Sequence, residues 1–191
     1  MAAGTNYIDG NEDRIPKVPS LFMKFPYTLI GCSDAIRPHP ATANYYFEGE
    51  LALIIGKPCF NVSESEAADY IFGVTCANDV TAPDLLKKDG HFLRGKNLPT
   101  FTPLGPVIET EADRSHLRLQ TRVNGKTVQD STTDRMIFGP TALISYISQF
   151  FPLETGDVIL TGTPQGGGKM ERGDIIEIEI ENVGKLYNIM A

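Results

Sequence analysis

In the stretch Tyr45–Ile55, YYFEGELALII, the glutamates Glu48 and Glu50 stand two positions apart. In an extended chain residues two apart project from the same face, so these carboxylates fall side by side. Ala52 and Ile54 continue that face, while Phe47, Leu51, Leu53 and Ile55 occupy the other, and both faces read as buried. Neighbouring carboxylates inside protein repel each other and lose hydration unless a cation compensates them. The bland alternative is a solvated strand end beside a lysine or arginine. Asp79 closes a second apolar run, IFGVTCAND, where a carboxylate again needs a partner. Three convergent carboxylates without His or Cys form a hard oxygen site suited to Mg²⁺, Mn²⁺ or Ca²⁺ rather than Zn²⁺. Such a set leaves coordination positions open for water and substrate, a catalytic rather than a closed structural arrangement.

The elements that must position these groups are mostly strands. Residues 1–20 are polar and carry Pro16 and Pro19, which predicts a loop or lid, with a β-rich core over 21–191. Leu21–Phe25 is a short strand candidate, Tyr45–Ile55 a longer one bounded by GKP, and GVTCANDV another. Ser63 and Glu66 have capping-box spacing, which predicts a short helix. Arg118–Val123 alternates and meets Asn124-Gly125, a hairpin turn signal ahead of KTVQ. Leu143, Ile144, Ile147 and Phe151 recur at helical spacing in PTALISYISQF, which Pro152 ends. DVILTG, DIIEIEIE and KLYNIM read as strands, and Ile176, Ile178 and Ile180 against Glu177, Glu179 and Glu181 give one core face and one wet face. The expected class is α+β and β-rich, a single domain over 1–191 built as a mixed β-roll or barrel with a few short helices.

At 191 residues with 41% hydrophobic and 21% charged side chains, the composition is globular. The net charge of −7 and the scattered basic residues speak against nucleic acid as a partner. No apolar run approaches the ~20 residues of a membrane span, and the start, MAAGTNYIDGNEDR, lacks signal-peptide character, so a cytoplasmic location is expected. Cys32, Cys59 and Cys76 are odd in number and without a CxxC, and read as small buried hydrophobes.

Four ordered blocks then narrow the choice: EGELALIIGK at 48–57, ANDVTAPDL at 77–85, RGKNLPTFTPLGP at 94–106 and GDVILTGTPQGGG at 156–168. In order and spacing the chain resembles the fumarylacetoacetate hydrolase family over roughly residues 4–190. The resemblance implies that Glu48, Glu50 and Asp79 hold a divalent ion, Mg²⁺ first, and that Lys96 of the R-x-K block steadies a metal-bound substrate. It places Thr163 of TGTP against a substrate carboxylate and matches Arg94 and Thr133 to family positions. It also implies a small-molecule substrate and a homodimer.

Two departures stand out. Many relatives carry a lid motif G-x-N-Y-x-x-H-x-x-E whose His and Glu activate water, whereas GTNYIDGNED puts Gly10 and Asp13 at those positions. Where relatives read T-A-R-D-L-Q, this chain has Pro83 and Leu86 in place of the Arg and Gln, which predicts a less polar pocket favouring bulkier or monoanionic ketones over short dicarboxylates. His91 is a candidate replacement base, with a structural role as the alternative. The expected function is a metal-dependent C–C hydrolase or decarboxylase acting on a 2-oxo acid or β-dicarbonyl compound through an enolate. The alternatives are an isomerase, tautomerase or hydratase and, in another class, a catalytically silent ligand-binding relative.

Overall fold

The computed structural model describes residues 1–8 and 15–191. Its strands are β1 (Ala2–Gly4), β2 (Ser20–Phe22), β3 (Leu29–Ile30), β4 (Ala35–Ile36), β5 (Tyr45–Phe47), β6 (Gly49–Ile55), β7 (Ile71–Asn78), β8 (Thr102–Pro103), β9 (Arg118–Val123), β10 (Lys126–Thr132), β11 (Val158–Leu160), β12 (Gly168–Met170), β13 (Ile175–Ile180) and β14 (Gly184–Met190). The helices are α1 (Glu64–Ala67), α2 (Pro83–Asp89), α3 (Leu93–Lys96) and α4 (Pro140–Ser148). One five-stranded sheet runs β2-β1-β11-β6-β7 and a second runs β10-β9-β13-β14-β4. Both sheets are open, so of the two shapes expected the roll is realised and the closed barrel is not. Small pairs β12-β5 and β3-β8 complete the strands.

The period-two pattern dictates how the sheets meet. Leu51, Leu53 and Ile55 of β6 are buried with Leu119 of β9 and Ile176, Ile178 and Ile180 of β13 in one core cluster. Fully burying each such side chain contributes about 1.5–3 kcal/mol. Ala52, on the opposite face of β6, joins Ala2, Phe22, Ala77 and Leu160 in a smaller cluster. Glu50 shares that face, which places a carboxylate in an apolar layer.

Three differences from the sequence expectation bear on the site. Residues 1–20 are not one loop: Ala2 and Ala3 are buried in β1, which pairs with both β2 and β11. Tyr45–Ile55 is not one strand either, because the chain breaks at Glu48 and β5 leaves to pair with β12. The break is held from outside: Asn78 Oδ1 accepts the Glu48 N–H at 3.0 Å and Gln129 Oε1 accepts the Gly49 N–H at 3.0 Å. Helices α2 and α3 were not foreseen, although Pro83 at the first turn and Gly90 beyond the last are ordinary helix boundaries. The capping box at Ser63 is present as expected, with Glu66 accepting from the Ser63 N–H at 3.1 Å. Gly10 and Asp13 lie outside the described residues.

Candidate active site

The break at Glu48, the strand β6 and the end of β7 bring Glu48, Glu50 and Asp79 together, with one carboxylate oxygen from each within 4.8 Å of the others. Glu50 and Asp79 are each 1% exposed, while Glu48 opens partly to a cavity of about 330 Å³. The Gly162 N–H donates to Glu50 Oε2 at 2.7 Å. Gly162 sits at φ 96°, a region that favours glycine, and the carbonyl before it is held by Asn6, whose Nδ2 donates to Thr161 O at 2.8 Å. Thr81 Oγ1 donates to Glu48 Oε1 at 3.0 Å.

Two buried lysines face this acidic group. Lys96, at the end of α3, donates from Nζ to Glu48 Oε2 and Asp79 Oδ2, each at 2.6 Å. Lys24, just past β2, donates to Asp79 Oδ1 at 2.6 Å and to the carbonyls of Lys96 and Phe101 at 2.5 and 2.9 Å. Burial alone would lower the pKa of Lys96, but the Asp79 and Glu48 charges outweigh it and hold the ammonium above its ordinary value. Burial would likewise raise the Asp79 carboxyl, yet Lys24 and Lys96 keep it below its ordinary range. Glu50 goes the other way: burial, then the Asp79 and Glu48 charges, push its carboxyl well above the usual range. Lys24 is pulled down, chiefly by its burial.

An all-oxygen, three-carboxylate donor set fits a hard divalent cation. The raised Glu50 carboxyl points the same way, since a cation among these oxygens would offset both its lost hydration and the repulsion from its neighbours.

The remaining expected residues divide. Thr163 lines the cavity, donating from Oγ1 to Gly49 O and accepting from Gln129 Nε2, each at 2.8 Å. Leu86 of α2 lines it too. Pro83 begins α2 and lies with His91 along a neighbouring shallow pocket. His91 is exposed, its Nδ1 accepting the Leu93 N–H at 3.3 Å. Arg94 is turned outward and pairs with Asp89. Thr133 braces the β10 end, its Oγ1 accepting from the Leu117 N–H at 2.9 Å and donating to Arg114 O at 3.0 Å.

Sequence reasoning missed Lys24, Gln129 and the aromatic pair Phe22 and Phe92. A lysine inside the apolar run LFMKFP was the available signal for the first. Gln129 bridges two site segments, since it also donates from Nε2 to Pro164 O at 2.8 Å, and nothing in its local sequence marks it.

Comparison with known proteins agrees with this geometry. The family model for the fumarylacetoacetate hydrolase C-terminal region matches residues 3–190. Oxaloacetate tautomerase YisK of Bacillus subtilis is 40% identical over 98% of this chain and 68% of its own length. A 5-carboxymethyl-2-hydroxymuconate delta-isomerase from Mycobacterium smegmatis superposes with a TM-score of 0.96 at 40% identity, covering 100% of this chain and 77% of that one. A fumarylpyruvate hydrolase from Pseudomonas aeruginosa, solved in complex with Mn²⁺ and pyruvate, gives a TM-score of 0.92 at 27% identity over 100% of this chain and 88% of its own. The ordered blocks around the acidic trio and Lys96 thus fall inside a match that runs almost from end to end, and the chain belongs to the fumarylacetoacetate hydrolase family.

Proposed function

We propose that this family enzyme is a divalent-metal-dependent tautomerase that interconverts the keto and enol forms of a small 2-oxo acid. The observation that carries this reading is the absence of imidazole from the cavity: the chain has three histidines, His39, His91 and His116, and none lines it. Hydrolysis needs a base to take a proton from water. Tautomerisation consumes no water and cleaves no carbon–carbon bond: solvent water accepts the proton that leaves C3 and returns one to the carbonyl oxygen, so no side chain is needed to generate a hydroxide nucleophile. The tautomerase and isomerase names of the relatives favour the same reading over the hydrolase or decarboxylase that was the first expectation.

Glu48, Glu50 and Asp79 would hold the cation, Mg²⁺ or Mn²⁺, which when bound polarises the oxygens of a 2-oxo acid and so acidifies its C3–H bond. Lys96 presents a charged N–H donor at the cavity wall, suited to an oxygen that gains negative charge as the proton leaves. Thr163 and the turn around it line the same cavity, where they would receive a substrate carboxylate. On the family resemblance the homodimer belongs to the same proposal, and light scattering checks it.

The test is deuterium exchange at C3 of pyruvate in D₂O, followed by proton NMR with and without Mg²⁺. Exchange should require the metal and fall by about 10² or more in Lys96→Ala, the size of effect seen when an oxyanion donor is removed. Rapid cleavage of an acylpyruvate without any metal-dependent exchange would overturn the assignment.

A further inference from the structure

One wall of the cavity is aromatic and close to the charged floor. Phe22 and Phe92 both line it and are stacked, with ring centroids 4.6 Å apart and planes at 23°. Lys96 Nζ lies 5.3 Å from the Phe22 centroid, and the same ammonium is 2.6 Å from Glu48 and Asp79. A 2-oxo acid held at the carboxylates thus has the Phe22–Phe92 face and Leu86 within the same cavity, available to its C3 substituent.

The cation lining this cavity, and two more cations on the neighbouring segments, are engaged elsewhere, while Lys87 lies on the outer side of Leu86 and Phe92, in the adjoining pocket. Among the described residues lining the cavity Lys96 is the one cation, and it is engaged by two carboxylates. Lys24 lies behind Asp79, bonded to Asp79 Oδ1 and two backbone carbonyls. Arg94 is paired with Asp89 at the surface. A second carboxylate at the far end of a substrate would thus lose hydration beside the electron-rich faces of two rings, with no free cation among these groups to compensate it.

We infer that the site selects 2-oxo acids whose C3 substituent is uncharged and flat, an aryl ring above all, and discriminates against those ending in a second carboxylate. The inference rests on the tautomerase reading for its reaction but not for its binding preference. Rejection comes from the unpaired anion and attraction from the ring stack, so both contribute to the same ratio.

Two readouts separate the claims. Calorimetry on the Mg²⁺-loaded protein compares N-phenyloxamate, an unreactive analogue of phenylpyruvate, with N-oxalylglycine, whose substituent ends in a carboxylate. N-phenyloxamate should bind at least about tenfold more tightly, and Phe92→Ala should shrink that ratio severalfold. Ketonisation of enol-phenylpyruvate should likewise exceed that of enol-oxaloacetate by about tenfold in kcat/KM. Equal or tighter binding of N-oxalylglycine overturns the inference, even where pyruvate exchange proceeds. Preferred binding of N-phenyloxamate without exchange upholds the pocket and overturns the reaction.

Discussion

Asp79 gives each of its oxygens to a different ammonium, Oδ1 to Lys24 and Oδ2 to Lys96. The two lysines differ in what else they see. Lys96 faces the cavity and a second carboxylate, whereas Lys24 faces backbone carbonyls and fixes the Asp79 carboxylate from behind. Removing one partner of a buried ion pair leaves an uncompensated charge and typically costs about 3–5 kcal/mol. Lys24→Met, which keeps the length of the chain and drops the charge, leaves Asp79 with Lys96 alone and should therefore lower the unfolding free energy of the metal-free protein by up to about that amount in a urea titration. It should also weaken Mg²⁺ binding, because Asp79 loses the contact that sets its orientation. A loss below about 1 kcal/mol, typical of a solvated surface pair, would show that Lys24 is not tied to the site as its geometry indicates.

At the scale of elements, the break between β5 and β6 decides where Glu48 points, and it rests on a close approach of sheets. A Cβ on Gly49 would stand 2.2 Å from Thr121 Oγ1 and 2.9 Å from Gln129 Oε1, so the main chain reaches β9 and β10 only without a side chain. Gly49→Ala should displace Gln129 or the strand itself, costing about 1–3 kcal/mol as overpacking does. It should also weaken Mg²⁺ affinity measured by calorimetry, and unchanged affinity with unchanged stability would refute the argument. The same break shows what the sequence could not reveal. Strand β13 and the hairpin of β9 and β10 were legible because alternation and an Asn-Gly turn are local signals. The interruption at Glu48 has its cause in Asn78 and Gln129, 30 residues or more away in the chain, and no local pattern announces such partners. Helix α2 was missed because it is short and its apolar periodicity slight, even though Pro83 and Gly90 bracket it. In the site, the acidic trio and Lys96 were readable from phase and block order. Arg94 shares a block with Lys96 but faces outward, and His91, just ahead of that block, is exposed as well, since block order does not specify which way a side chain faces.

At the scale of the whole molecule, the acidic trio couples the stability of the fold to pH and to metal. Both carboxyls are raised above the ordinary 4.5, Glu50 by burial and then the Asp79 and Glu48 charges, Glu48 by burial and Asp79 against the opposing pull of Lys96. A group whose folded pKa is raised holds its proton more tightly in the native state. Its stabilising contribution is full below the unfolded value and is lost as pH rises through the folded value. For these glutamates the window opens at 4.5 and extends upward to the raised value of Glu50. Asp79 has the opposite sign, but its window lies below 3.8 and does not overlap. The metal-free protein should therefore lose Tm as pH is raised above about 5, and Glu50→Gln, with no proton to release at that position, should flatten the slope. A cation binds the deprotonated site, so its stabilisation should grow over the same range. At a hundredfold excess over Kd it amounts to about 2.7 kcal/mol, or a rise of roughly 5–10 °C for a domain of this size. Differential scanning fluorimetry with and without Mg²⁺ reads both trends at once. A parent protein whose Tm is independent of Mg²⁺ at about pH 8, or a Glu50→Gln variant that keeps both the slope and the metal shift, would remove Glu50 from the metal site.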